Sequence, residues 1–172
     1  VLAPLVNKCS LEEEETLQMK WANLIANIVS NDNNILLELN CIEILNKISV
    51  IEAKLLDFLY DEFFEQRAMR IEKIKNRNLD LGDAHIPVSK ILFNLDKIRT
   101  TFNLSKENFE DYISNLISFG VIDYDVPSVS VDAQKSDEDP NDLDIDIDIS
   151  IKKPNEIHLT NLGVKFVEIC NT

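Results

Sequence analysis

The sequence predicts a mainly α, α+β protein, and three observations predict it. Across the N-terminal half, capping residues open segments whose apolar positions recur at spacings of three and four. The segment Ser105 to Gly120 has the same character and runs straight into the strand-like Val121-Ile122-Asp123-Tyr124. Further on, a second strand-like piece, Ile157-His158-Leu159-Thr160, leads into the helical Asn161 to Cys170. Helix, strand, long turn, strand, helix is the order of a winged helix-turn-helix unit. The expected architecture is a helical N-terminal layer, residues 1–80, packed on a winged-helix-like C-terminal subdomain, residues 81–172. An extended acidic β-hairpin forms its wing, and 172 residues suffice for the two parts to share one core.

Element by element, Ser10 stands as a helix cap with Glu13 at N3, and Glu12 to Glu15 place negative charge at the positive end of the helix dipole. Leu17, Trp21, Leu24, Ile25 and Ile28 then define one apolar stripe, which the polar run Ser30 to Asn34 ends. A second helix is expected over Ile35 to Lys47, apolar on more than one side and so buried between neighbours. Ser49 and Glu52 repeat the capping-box spacing and open a third helix through Leu55, Leu56, Leu59 and Phe63 as far as Asn76. Gly82 and Pro87 mark a connection, a short helix follows near Ser89 to Leu95, and the chain turns between Arg99 and Leu104. Ser105 caps the next helix, whose Phe109, Tyr112, Ile113, Leu116 and Ile117 form a core face. Gly120 takes the left-handed C-cap position, where a Cβ would be penalised.

The wing is long. Ser128 to Asn141 is polar and carries Asp137-Glu138-Asp139-Pro140 as a mobile tip whose like charges resist compaction. Beyond it Leu143, Ile145, Ile147, Ile149 and Ile151 alternate with Asp142, Asp144, Asp146, Asp148 and Ser150, the pattern of a half-buried strand with aliphatics on one face and carboxylates on the other.

Charge bears most on function. With 31 acidic and 17 basic residues the formal net charge is -14, which repels a phosphate backbone. A DNA-reading winged helix would insert the segment after Ser105, yet Lys106 and Asn108 there are accompanied by Glu107, Glu110 and Asp111. Nucleic acid is therefore a disfavoured partner, and binding would fall to the basic cluster Arg67, Arg70, Lys73, Lys75 and Arg77. A solvated helix face, or attraction to an acidic surface, is the plainer role for that cluster.

Metal and enzyme chemistry find little support. Alternate Asp residues along a strand present a row of charges, whereas a calcium loop wraps its ligands around a glycine, so Asp144, Asp146 and Asp148 read as a solvated acidic face. With Asp137, Glu138 and Asp139 at the tip, that face can engage a basic protein surface. Cys9, Cys41 and Cys170 are widely spaced and set among apolar residues, as buried thiols are. Three glycines leave no phosphate loop, and His85 and His158 have no neighbouring nucleophile. No cofactor is expected and a non-catalytic role is favoured. Trp21 fits core packing better than an interface anchor, though tryptophan is enriched at such anchors. No apolar run reaches the roughly 18 residues of a membrane span, and a signal peptide is not recognisable, so a cytoplasmic protein without membrane contact is expected. With Val1 in place of methionine, a fragment or a processed product is expected.

Several ordered pieces together resemble the bacterial Abi-alpha, or abortive infection alpha, family. They are Ala3-Pro4-Leu5, Leu17-Gln18-Met19-Lys20-Trp21-Ala22-Asn23-Leu24, Ile44 to Ser49, Asn115 to Ile122 and Leu159-Thr160-Asn161-Leu162-Gly163-Val164-Lys165-Phe166. The resemblance spans nearly the whole chain and is firmest in Trp-Ala-Asn-Leu and in Leu-Thr-x-x-Gly-x-x-Phe. It implies a bacterial protein of phage defence and brings no catalytic set. The family's histidine-proline pair after the first helix is replaced by Asn33-Asn34-Ile35, so no role is carried over from it. Gly163 reads as a point of close backbone packing. The resulting expectation is a sensing or interaction module that binds a protein partner or associates with itself, through an apolar patch or the acidic wing.

Overall fold

A computed structural model of the chain describes residues 2–30, 35–76, 86–135, 145–152 and 154–171. Four helices come first: α1 (Leu2–Leu11), α2 (Glu15–Ser30), α3 (Ile35–Lys47) and α4 (Val50–Lys75). A 3-10 turn, Val88–Lys90, and the two-residue strand β1 (Phe93–Asn94) lead to α5 (Leu95–Thr101) and α6 (Lys106–Ser118). Then come β2 (Ile122–Tyr124), β3 (Ser128–Lys135), β4 (Ile145–Lys152), β5 (Glu156–Leu159) and α7 (Asn161–Asn171).

The C-terminal part is winged-helix-like. Helices α5 and α6 are joined by a tight turn at Asn103, which takes the left-handed conformation at φ 50°. The antiparallel sheet has the order β1-β5-β2, with Phe93 opposite Ile157 and Ile122 opposite Leu159. Gly120 has φ 70°, as its C-cap position predicts, and turns α6 into β2.

Beyond this sheet the wing continues as a separate two-stranded ribbon, β3 with β4. The junction explains the separation. The body ladder closes with Asp125 N–H donating to Glu156 O at 3.0 Å, and the ribbon starts with Ser128 opposite Lys152. Residues 126–127 separate the two on one arm, and on the other the ribbon pairing ends at Lys152 while the body pairing begins at Glu156, so no single register runs through. Pro127 and Pro154, which have no N–H to give to a ladder, sit in these short links.

Buried residues on both sides of residue 80 form one cluster, from Leu5, Leu17, Trp21 and Leu24 through Leu55, Leu56 and Leu59 to Leu116, Ile157, Phe166 and Cys170. Its polar edge is built as carefully as its apolar centre. Ser49 caps α4 by accepting from Glu52 N, and Glu52 returns the bond by accepting from Ser49 N at 2.6 Å. The other oxygen of buried Glu52 accepts from Asn115 Nδ2 at 2.6 Å and so ties α4 to α6. Glu52→Ala is expected to cost about 2 kcal/mol in urea unfolding, because two donors lose a charged acceptor. Glu52→Gln, whose amide oxygen can still accept one of them, should lose about half as much.

Four expectations about element positions are corrected. Ser10 does not open the first long helix. It lies in the last turns of α1 and donates to Asn7 O at 2.8 Å, and α2 begins at Glu15 with Glu14 N–H donating to Glu12 Oε1. Near Ser89 to Leu95 stand the 3-10 turn and β1 instead of a helix, which starts only at Leu95 with Asn94 as its cap. The turn before α6 is correspondingly later, since α5 runs through Arg99 to Thr101. Finally, Ser128 to Lys135 is a strand: Val129, Val131 and Ala133 stand in register with Ile151, Ile149 and Ile147, an aliphatic pairing that a reading of the segment as polar overlooked.

Candidate interaction surfaces

A polar seam joins the first long helix to the last. Lys20, Asn23 and Asn27 recur at steps of three and four along α2, beside the apolar stripe, and all three reach the C-terminal end of α7. There the last carbonyls of a helix have no intrahelical donors. Asn23 Nδ2 donates to Cys170 O at 3.1 Å and Asn27 Nδ2 to Ile169 O at 2.9 Å. Lys20 is 3% exposed and donates to Asn171 Oδ1 at 2.5 Å and to Asp57 Oδ1 on α4 at 2.7 Å. Its ammonium also complements the negative end of the α7 dipole. No site role was assigned from sequence to Lys20, Asn23, Asn27, Asp57 or Asn171; the signal was polar residues keeping helical step with a buried stripe.

Trp21 belongs to the interior. Its side chain has no exposure and its indole N–H no hydrogen-bond partner, so it packs and does not anchor a partner on the surface.

On α4, Arg67, Arg70 and Lys73 follow one another at steps of three and share a face. Arg70 and Lys73 are exposed and Arg67 is half-buried. Arg70 Nη1 donates to Lys90 O at 2.6 Å, which binds the far end of α4 to the 3-10 turn. Among the described residues no ion pair engages these three cations. Lys75 ends α4, and Arg77 lies outside the described residues. On α6 the exposed Lys106 stands 3.8 Å from Glu110, so its charge is already accompanied.

For the acidic wing, Asp146 and Asp148 occupy β4, in register with Gln134 and Asp132. Asp137, Glu138, Asp139 and Asp144, with the tip, lie outside the described residues.

The clearest exposed apolar feature is on α3. That helix is not buried between neighbours as predicted: Cys41, Ile44 and Leu45 face the core, while Ile35, Leu36 and Leu39 are 72%, 71% and 52% exposed. Steps of one, three and four place the three on one face. Farther along α3, a cleft of about 300 Å³ is lined by Asn40, Glu43, Ile44, Lys47, Ser118 and Phe119, with Leu162. A hydrogen bond from Lys47 holds the Glu43 carboxyl below the usual carboxylate range. A second cleft of similar size lies beside His158, Thr160 and Ser89.

Among the described residues, no group of three or more His, Cys, Asp or Glu is arranged to hold a metal ion. None of their helices is long and apolar enough to cross a membrane.

Compared with protein-family models, residues 1–170 match the one described as abortive infection alpha. Neither curated proteins nor solved structures give a match. The segments Trp21 to Leu24 and Leu159 to Phe166 lie on or lead into α2 and α7, the helices that the polar seam joins. With the match covering all but the last two residues, the chain belongs to the abortive infection alpha family.

Proposed function

We propose that this chain is a non-catalytic protein-interaction module in phage defence, and that it binds its partner through the exposed face of α3. One observation carries the reading. Ile35, Leu36 and Leu39 are aliphatic, neighbouring and open to water, although the same helix buries Cys41, Ile44 and Leu45 on its other side. Exposed apolar groups that share a face mark an interaction surface more often than three scattered ones would. Family membership supplies the setting, since abortive infection is an outcome of phage defence.

The test is a double variant, Leu36→Asp with Leu39→Asp, used as bait beside the parent in infected and uninfected cells. Because both side chains are exposed, the melting temperature should stay within about 2 °C of the parent. Recovery of the specific partner should fall at least tenfold, since two charges in an apolar contact cost several kcal/mol. Size-exclusion chromatography of the purified pair shows whether that partner is a second copy. Undiminished recovery refutes the α3 surface. A DNA or RNA shift at about 50 mM salt, lost on Arg70→Glu with Lys73→Glu, would instead move the function to the basic face of α4.

A further inference from the structure

The stripe of α4 that carries Arg67, Arg70 and Lys73 holds no acid. Every α4 residue three or four places from these cations is apolar, an uncharged amide or another cation, so the stripe keeps its like-charge repulsion unrelieved. Elsewhere the rule is the reverse: Lys20, Lys47, Lys97, Arg99, Lys106 and Lys165 each stand within 4.0 Å of a carboxylate. On the stripe, Arg67 Nε is buried without a hydrogen-bond partner. Arg70 gives Nη1 to Lys90 O at 2.6 Å, which orients its guanidinium and leaves further N–H donors to spare.

The ribbon has the opposite imbalance. Its register sets Asp132 directly opposite Asp148, with Asp146 two residues along, so three carboxylate positions share one face. Carboxylates placed opposite one another across a ladder repel. Each surface is thus destabilised by its own charge, and the two signs are complementary. We propose that the acidic face of the ribbon in one copy docks on the α4 stripe of a second copy, joining chains head to tail.

The dimensions agree. Alternate strand residues lie about 7 Å apart, and the stretch from Arg67 to Lys73 rises about 9 Å along its helix. Arginine is suited to the task, since its planar fork can take a carboxylate with two bonds. The ribbon of the same chain is not the occupant, because among the described residues no ion pair engages the three cations. A phosphate polymer fits less well, since it would lie along a body whose net charge is -14. A second copy is just as negative but meets the stripe through a thin arm. Asp148 and Asp146 stand four and six residues from the end of the ribbon pairing at Lys152, about 14 to 20 Å of extended strand. That exceeds the Debye length of about 10 Å at 0.1 M salt, so the two bodies are largely screened while the joint is in contact. The joint is heterologous, and each added copy leaves a ribbon or a stripe free for the next.

Sedimentation of the purified full chain is the test. At about 0.1 M salt the weight-average mass should climb above 19.7 kDa as protein concentration rises, and at about 1 M salt it should return to that value. Arg70→Gln with Lys73→Gln should weaken association at least about tenfold, and so should Asp146→Asn with Asp148→Asn, although the latter reduces the mutual repulsion of the chains. Lys73→Gln alone, which keeps the bond from Arg70 to Lys90, gives the same direction of change if the double stripe variant does not fold. Mixed in equal amounts, the stripe and ribbon variants should form a two-chain complex and stop there, because one supplies the ribbon and the other the stripe. A parent chain that stays monomeric to about 1 mM at 0.1 M salt would overturn the proposal. So would association that outlasts 1 M salt or is lost only on Leu36→Asp with Leu39→Asp, which would place the joint on α3, or a mixture that fails to assemble. A DNA or RNA shift lost on Lys73→Gln would also overturn it, by giving the stripe to phosphates.

Discussion

Gly163→Ala should destabilise the chain by about 3 kcal/mol or more in urea unfolding, in a helix where alanine is ordinarily favoured over glycine by about 1 kcal/mol. The reason is a backbone contact. A Cβ at residue 163 would overlap the Val121 carbonyl oxygen far inside van der Waals contact, 2.9 Å from its carbon and 3.3 Å from Leu159 Cδ2. That oxygen cannot retreat freely, because it accepts from Thr160 N–H at 3.0 Å. Thr160 is fixed in turn: its hydroxyl donates to Gly120 O at 2.6 Å and accepts from Gly163 N–H at 3.0 Å. Moving α7 away to make room would therefore break the joint between α6, β5 and α7. Gly120→Ala is the control. Its φ is 70° but the space around it is open, so only the left-handed backbone penalty applies, about 1 to 2 kcal/mol. The order of the two losses checks the explanation, since helix preference alone would make the alanine at 163 harmless.

The second large effect is expected at Asp57, and its partner should not show the same effect. Asp57 is 31% exposed, whereas Lys20 is 3% exposed, so the two ends of one ion pair differ in access to water. Asp57→Ala leaves a buried ammonium with Asn171 Oδ1 as its remaining acceptor and should cost about 3 kcal/mol. Lys20→Met leaves a carboxylate that water can reach, keeps the apolar stem packed and should cost about 1 kcal/mol. The double variant should stand above Asp57→Ala alone, a coupling of about 2 kcal/mol read from the same unfolding curves. Equal losses for the two single variants would mean that packing, not stranded charge, dominates.

Much of the framework could be read before any coordinates. Capping chemistry was the most dependable signal: Ser49 with Glu52, Ser105 and Gly120 all stand at the ends they mark. Where it misled, a competing preference won. Ser10 and Glu13 have the spacing of a capping box, yet Leu2 to Leu11 already forms a helix, so the same serine donates backward to Asn7. Asn94 capped α5 unnoticed, because a strand of two residues before it is too short to alternate. In β3, small and polar residues hid an aliphatic series that became visible once β4 stood in register beside it.

The surfaces were less legible for a different reason. Periodicity shows that α3 has apolar residues on more than one side, but only the positions of its neighbours decide which side stays open. The meeting of Lys20 with Asp57 and Asn171 depends on helices far apart in sequence. Trp21 is a different case, since the stripe it belongs to is visible in the sequence and the side chain is fully buried.

The short proline-bearing links between body and ribbon have an evolutionary consequence. The hydrogen bond between Asp125 and Glu156 shuts the body behind them, so whatever is spliced in beyond that point leaves the register of β2 with β5 untouched. Lengthening an outlying hairpin adds little closure entropy. Descendants of this chain can therefore redraw the reach and charge of the ribbon while inheriting the rest intact.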